Sequence, residues 1–139
     1  MSDNIEDLLT NYLGTGSFQK FLGMEFQSCN ADKGEIVIRL PYKPEFERGP
    51  DTKQWHGGPL AAFIDIVGDF ALIAMLGRGI PTINLRIDYL RPAIDTDLVG
   101  TGRVLRAGRS VGVVDVELTD DKGRTVAVGR GSYSTLPPS

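Results

Sequence analysis

Asp65 and Asp69 stand four residues apart in a run, Gly57 to Leu76, whose other side chains are almost all apolar. A carboxylate flanked by Phe63, Ile64, Ile66 and Val67 loses much of its hydration, so it must find donors, shift its pKa or open onto a cavity. Such acids serve as general bases or nucleophiles. The two lie one helical turn apart on nearly the same face, and spacing does not choose between them. The bland alternative for Asp65 is a structural carboxylate bonded to a strand amide or to Arg86. The run is opened by His56-Gly57-Gly58-Pro59. Proline suits a first helical turn, and the two glycines let a ligand approach backbone amides at the positive end of the helix dipole. Those amides can stabilise a developing oxyanion, although the glycines would equally allow a tightly packed turn. His56, the single histidine, can act as a general base or can bond nearby backbone and shape the turn.

Gly57 and Asp65 are eight residues apart, about 12 Å along a straight helix. One carbonyl needs its donor and its attacking group each near 3 Å. If both residues are catalytic, the site must join Gly57 of one subunit to Asp65 of a two-fold-related copy, which makes the protein an obligate dimer. Trp55 and Phe46, beside and within the preceding loop, are candidates to line a substrate pocket or are plain packing. Arg103, Arg106 and Arg109 form the one local basic cluster, suited to phosphates or to a solvated turn. Cys29 reads as a small strand or core residue.

The rest of the chain must position these groups. At 139 residues it fits one domain, residues 1–139. Fifteen Lys and Arg against eighteen Asp and Glu give a net charge of −3, which argues against nucleic acid or an anionic bilayer as partner. One Cys and one His are too few for a structural zinc site, and no metal or cofactor is expected. Residues 1–10 carry Asp3, Glu6 and Asp7 where a secretion signal needs a basic start and an apolar run, so a cytoplasmic location is expected. The seventeen glycines and eight prolines read as scattered turn punctuation.

Apolar residues three and four apart predict a short amphipathic helix over residues 4–13, ended by Gly14 and Gly16, as a lid or docking element. Residues 23–31 and 34–42 read as strands joined by a turn at Asp32-Lys33-Gly34. Residues 43–54 lose periodicity and read as a loop long enough to carry function. Residues 57–76 are apolar on every side, hence a buried core helix; Asp65 and Asp69 at mid-span argue against a membrane segment. Then Ile83, Leu85, Ile87 and Tyr89 alternate with Thr82, Asn84, Arg86 and Asp88, and three further strands follow to residue 134. Sequential hairpins imply an antiparallel sheet, one face of which must cover the apolar helix: an α+β layer arrangement.

Trp55-His56-Gly57-Gly58-Pro59-Leu60-Ala61-Ala62-Phe63-Ile64-Asp65 resembles the HGG-containing motif of the PaaI-like hotdog-fold acyl-CoA thioesterases, and residues 84–93 (NLRIDYLRPA) are similar to the strand after the central helix in that family. The likeness spans residues 20–135 in element order, with residues 1–19 an N-terminal helix and turn. It implies a hotdog fold, an antiparallel sheet wrapped around a long central helix. It implies homodimers that join sheets edge to edge and pair into homotetramers. It also implies hydrolysis of an acyl-CoA thioester at a site shared by two subunits. By that resemblance Asp65 is the nucleophile or general base, the Gly57 amide is the carbonyl donor, and Thr82 helps to position the attacking water. His56 is a further catalytic candidate, and Gly58, Trp55, Phe46, Arg106 and Arg109 are the substrate-binding candidates. Many relatives carry an Asn or Gln a few residues before HGG; in this chain Pro50 and Asp51 stand there. Two other functions fit the same fold: a non-catalytic binder of acyl thioesters or aromatic ligands, and a 3-hydroxyacyl-thioester dehydratase using His56.

Overall fold

A computed structural model describes residues 2–138. The chain runs α1 (Ser2–Thr15), α2 (Ser17–Leu22), β1 (Glu25–Asn30), β2 (Glu35–Leu40), a 3-10 turn at Pro44–Phe46, α3 (Gly57–Leu76), β3 (Thr82–Tyr89), β4 (Leu98–Ala107), β5 (Val111–Thr119) and β6 (Thr125–Ser134). The six strands form one antiparallel sheet in the order β1-β2-β4-β5-β6-β3. Helix α3 lies across one face of it, packed on β2 through β6. This is the α+β arrangement expected from the sequence.

The apolar circumference of α3 finds a partner on each side. Phe63, Ile64, Val67 and Leu72 are buried against the sheet with Ile38, Leu40, Val114, Val116 and Leu118. On the other side α1 docks, burying Leu9 and Leu13, with Tyr12 set edge-on against Phe70 at 6.2 Å. Each such aliphatic side chain contributes about 1.5–3 kcal/mol. The N-terminal helix is therefore a docked element and not a free lid. It extends beyond the 4–13 span that its periodicity predicts, and Gly16 starts a second helix, α2, which no periodicity in the sequence announces.

Glycines within the sheet have a role that turn punctuation does not describe. A Cβ on Gly100 would lie 2.8 Å from Val67, and one on Gly129 would lie 2.6 Å from Ile64. Both positions stay bare because α3 sits directly on them.

The 43–54 loop is more ordered than its composition suggests. The Glu47 carboxylate accepts the Tyr42 hydroxyl and the backbone N–H groups of Asp51 and Lys53, the latter at 2.9 Å. Bridges from Glu47 to Trp55 and from Gln54 to Ile94 fasten its end to the segment after β3. The entrance to α3 is thereby held in place.

Candidate active site

Four N–H groups at a helix start have no intrahelical acceptor, and at α3 three of the four are accounted for. The His56 N–H donates to the Phe46 carbonyl at 2.8 Å. The Gly58 N–H donates to His56 Nδ1 at 2.9 Å. Pro59 has no N–H. Gly57 is left, and its N–H meets no acceptor among the described residues. Of the two glycine amides considered from sequence, Gly58 is thus committed to the cap and Gly57 is the available donor. His56 is the N-cap residue, which makes Nδ1 an acceptor and puts the proton of the neutral ring on Nε2.

The Gly57 carbonyl accepts the Tyr89 hydroxyl at 2.8 Å, so the last residue of β3 holds the first residue of α3. A cavity of about 430 Å³ lies against this end of the helix, with Trp55, Gly57, Leu60, Tyr89, Arg48 and Arg91 among its lining residues.

Two turns along, Asp65 is half-buried and its Oδ1 accepts the Thr82 hydroxyl at 2.7 Å. Strict alternation would have aimed Thr82 away from the helix, on the face of Asn84 and Arg86. A β-bulge intervenes: Thr82 pairs with Tyr133 and Asn84 with Ser132, leaving Ile83 as the extra residue. The bulge turns Thr82 inward, onto the face of Tyr133. Arg86 pairs with Asp88 instead and takes no part in holding Asp65. Tyr133 is fully buried and donates its hydroxyl to the Asp65 backbone carbonyl at 2.9 Å. Its ring occupies a slot that Gly68 and Gly131 leave open, because a Cβ on either would collide with the hydroxyl oxygen. Burial, with Asp65 and Asp69 nearby, raises the Tyr133 pKa and keeps it a donor.

Asp69 has no such support. Its Oδ1 is sealed from solvent and without a hydrogen-bond partner among the described residues. Burial, and then the neighbouring Asp65, push its pKa up to about 7.

The remaining sequence candidates are placed differently. Phe46 is 2% exposed and Trp55 4% exposed; the rings stack at 5.2 Å, and Trp55 Nε1 donates to the Thr96 carbonyl at 2.9 Å. Phe46 is therefore a core residue and not a pocket wall, whereas Trp55 borders the cavity from within the core. Arg106 and Arg109 are exposed on the β4–β5 hairpin. That hairpin lies toward the C-terminal end of α3, where Gly112 meets Leu72, about 20 Å along the helix from Gly57 of the same chain. Arg48 and Arg91 are the arginines at the amide. Sequence reasoning missed them, as it missed Tyr89 and Tyr133, because only the fold brings them to the site: the ordered 43–54 loop carries Arg48, and the packing of β3 and β6 against α3 places the others.

Comparison with known proteins bears on the family and the fold. Residues 53–127 match the sequence profile of the Thioesterase superfamily. A Halobacterium salinarum protein provisionally named an esterase is 33% identical over 143 residues, covering 95% of this chain and 93% of that one. Human acyl-coenzyme A thioesterase 13 is 26% identical, covering 94% of this chain and 93% of its own. Among solved structures, the Escherichia coli PaaI protein from the phenylacetic acid degradation operon superposes with a TM-score of 0.86 at 23% identity, covering 99% of this chain and 97% of that one.

Proposed function

We infer the activity from one premise: this chain belongs to the thioesterase superfamily and has its PaaI-like hotdog fold. It is a thioester hydrolase, and its substrate is an acyl-CoA, cleaved to the free acid and the thiol at a site shared between two subunits. The relatives named as acyl-CoA thioesterases support the substrate class. The observation that carries the reading is the contrast between two groups on one helix. Gly57 offers a free N–H at the tip of α3, and Asp65, held by Thr82, offers a carboxylate about 12 Å further along.

One chain cannot bring both to one carbonyl, whereas a copy with its helix antiparallel alongside can. The free edge of the sheet supports that partner. Strand β3 has no neighbour on its outer side among the described residues, and Ile83 and Tyr89 on it and Leu90 just after it are 58%, 53% and 60% exposed. An apolar sheet edge of this kind is a template for pairing with another copy.

In the reaction the Gly57 N–H polarises the thioester carbonyl. Asp65 of the partner subunit supplies the electron pair, either to the carbonyl carbon directly or to a proton of the attacking water. The tetrahedral oxyanion is held by the Gly57 amide and the helix dipole. Its collapse breaks the C–S bond and releases the thiolate: where water attacked, the acid is free and Asp65 returns its proton to the thiolate or to solvent, and where Asp65 attacked, water cleaves the resulting mixed anhydride to the free acid and the Asp65 carboxylate. Thr82 fixes the Asp65 carboxylate by occupying Oδ1, which leaves Oδ2 for the reacting atom. Arg48 and Arg91 give the cavity beside the amide a positive wall suited to an anionic substrate.

Thiol release from acyl-CoA esters tests the reading. Wild type should turn over, and Asp65→Asn should lose about 10²–10⁴-fold in kcat while still eluting as a dimer. Retained turnover in that variant would remove Asp65 from the assignment.

A further inference from the structure

We propose that Asp69 is a positioning residue for Asp65: its half-buried carboxyl, one oxygen of which is sealed and without a donor, keeps its proton, so the two carboxyls together hold one negative charge, and that charge resides on Asp65. The inference rests on Asp65 being the reacting carboxylate. The asymmetry between the two acids carries it. They stand on successive turns of α3, about 6 Å apart along the axis. Asp65 Oδ1 receives the Thr82 hydroxyl, whereas Asp69 Oδ1 is out of reach of water and of every donor among the described residues.

An ionised carboxylate without donors in such a place is costly, and a second anion beside Asp65 adds repulsion. The elements packed on α3 offer Asp69 no relief. The residues that β2, β4 and β5 bury against the helix include Ile38, Leu40, Gly100, Val114 and Val116, none of which titrates. From α1 comes Tyr12, set against Phe70. From β6 comes Tyr133, whose hydroxyl is committed to the Asp65 carbonyl, and from β3 comes Thr82, committed to the Asp65 carboxylate. No Lys, Arg or His among the described residues bears on Asp69, and its pKa is accordingly raised to about 7 by burial and by Asp65.

The consequence is chemical. With Asp69 neutral, the site carries one anion when the tetrahedral oxyanion forms. Once Asp69 ionises, a second fixed anion opposes that oxyanion, and the rate falls although Asp65 is still charged. A general base acting alone would give a rate that rises and then stays level with pH.

The test is the pH dependence of kcat for acyl-CoA hydrolysis, corrected for hydrolysis in buffer, in wild type and Asp69→Asn. The amide mimics the neutral acid in shape and cannot ionise. Wild type should lose tenfold or more on going from about pH 7 to about pH 8.5, and Asp69→Asn should change less than about twofold over that interval. A residue that merely supports the fold would scale kcat or KM equally at every pH. Superimposable profiles overturn the inference and leave the proposed function standing; no turnover by wild type at any pH overturns the proposed function. Infrared spectroscopy of wild type labelled with ¹³C at aspartate carboxyls gives an answer that needs neither turnover nor a folded variant. A protonated-carboxyl band that persists at pH 6 and titrates away near neutrality supports the inference, and its absence at pH 6 overturns it.

Discussion

Tyr89, the last residue of β3, donates its hydroxyl to the carbonyl of Gly57, the first residue of α3, at 2.8 Å. The contact makes the edge strand and the helix tip one unit. Any change in how β3 pairs along its free edge should be felt at the helix tip, where the proposed donor, the Gly57 N–H, stands. A Cβ at Gly57 would sit 3.3 Å from the Tyr89 ring and hydroxyl. That is a tight contact, but one that an exposed tyrosine can relieve.

Gly57→Pro isolates the amide. Proline is well suited to the first helical position, and His56 before it already has the extended backbone that a following proline requires, with φ −69° and ψ 148°. The substitution deletes the one free N–H while the helix start is kept. We expect kcat to fall by about 10²–10³-fold, the cost of one oxyanion donor, with a melting temperature close to wild type. Turnover within a few-fold of wild type would show that the donor lies elsewhere.

The Tyr133 slot yields a prediction about stability. Gly68→Ala should gain helix propensity on an exposed helix, but in α3 its methyl meets the Tyr133 hydroxyl. We expect a loss of about 1–3 kcal/mol. In the Tyr133→Phe background the same substitution should cost much less, because the colliding atom is gone. Urea unfolding of the four proteins measures the coupling, and additive effects would contradict the slot.

Asp69 should also leave its mark on stability. Its pKa is about 7 in the folded chain against 3.8 as the ordinary value. Between those values the folded state keeps a proton that the unfolded chain has released, so stability falls as pH rises through that window and levels off above it. Asp69→Asn abolishes the effect. Its stability relative to wild type should therefore increase by about 2–4 kcal/mol from pH 4 to pH 8. Denaturant unfolding at the two pH values checks this, and a difference that does not change with pH would mean that Asp69 is ionised in the fold.

The sequence was most informative where one kind of interaction dominates. Helix α3 was legible to its end residues because an apolar run of 20 residues has only one stable disposition in this composition, and Gly77, with φ +76°, stops it. Strand periodicity located β2 and β3 for the same reason. Legibility failed where tertiary contact overrides pattern. The bulge at Ile83 reverses the facing of Thr82, and no local signal announces it. Helix α2 is six residues long and leaves Phe18 and Phe21 exposed, so it has no amphipathic stripe to read. At the site, the resemblance to a family named Asp65, Gly57 and Thr82. Which of the two glycine amides is free emerged only from counting the donors at the helix start.

If the amide and the carboxylate of each site belong to different subunits, hybrid dimers should recover activity that both parents lack. Asp65→Asn and Gly57→Pro should each inactivate the homodimer. In a dimer that contains one of each, one composite site pairs an intact Gly57 with an intact Asp65, and the other site carries both lesions. Co-expressed, differently tagged chains purified as the hybrid should recover about half the wild-type kcat per dimer, as expected for one intact site of the two in a two-fold assembly. Hybrid dimers as inactive as either parent would place both groups within a single chain and contradict a site shared between subunits.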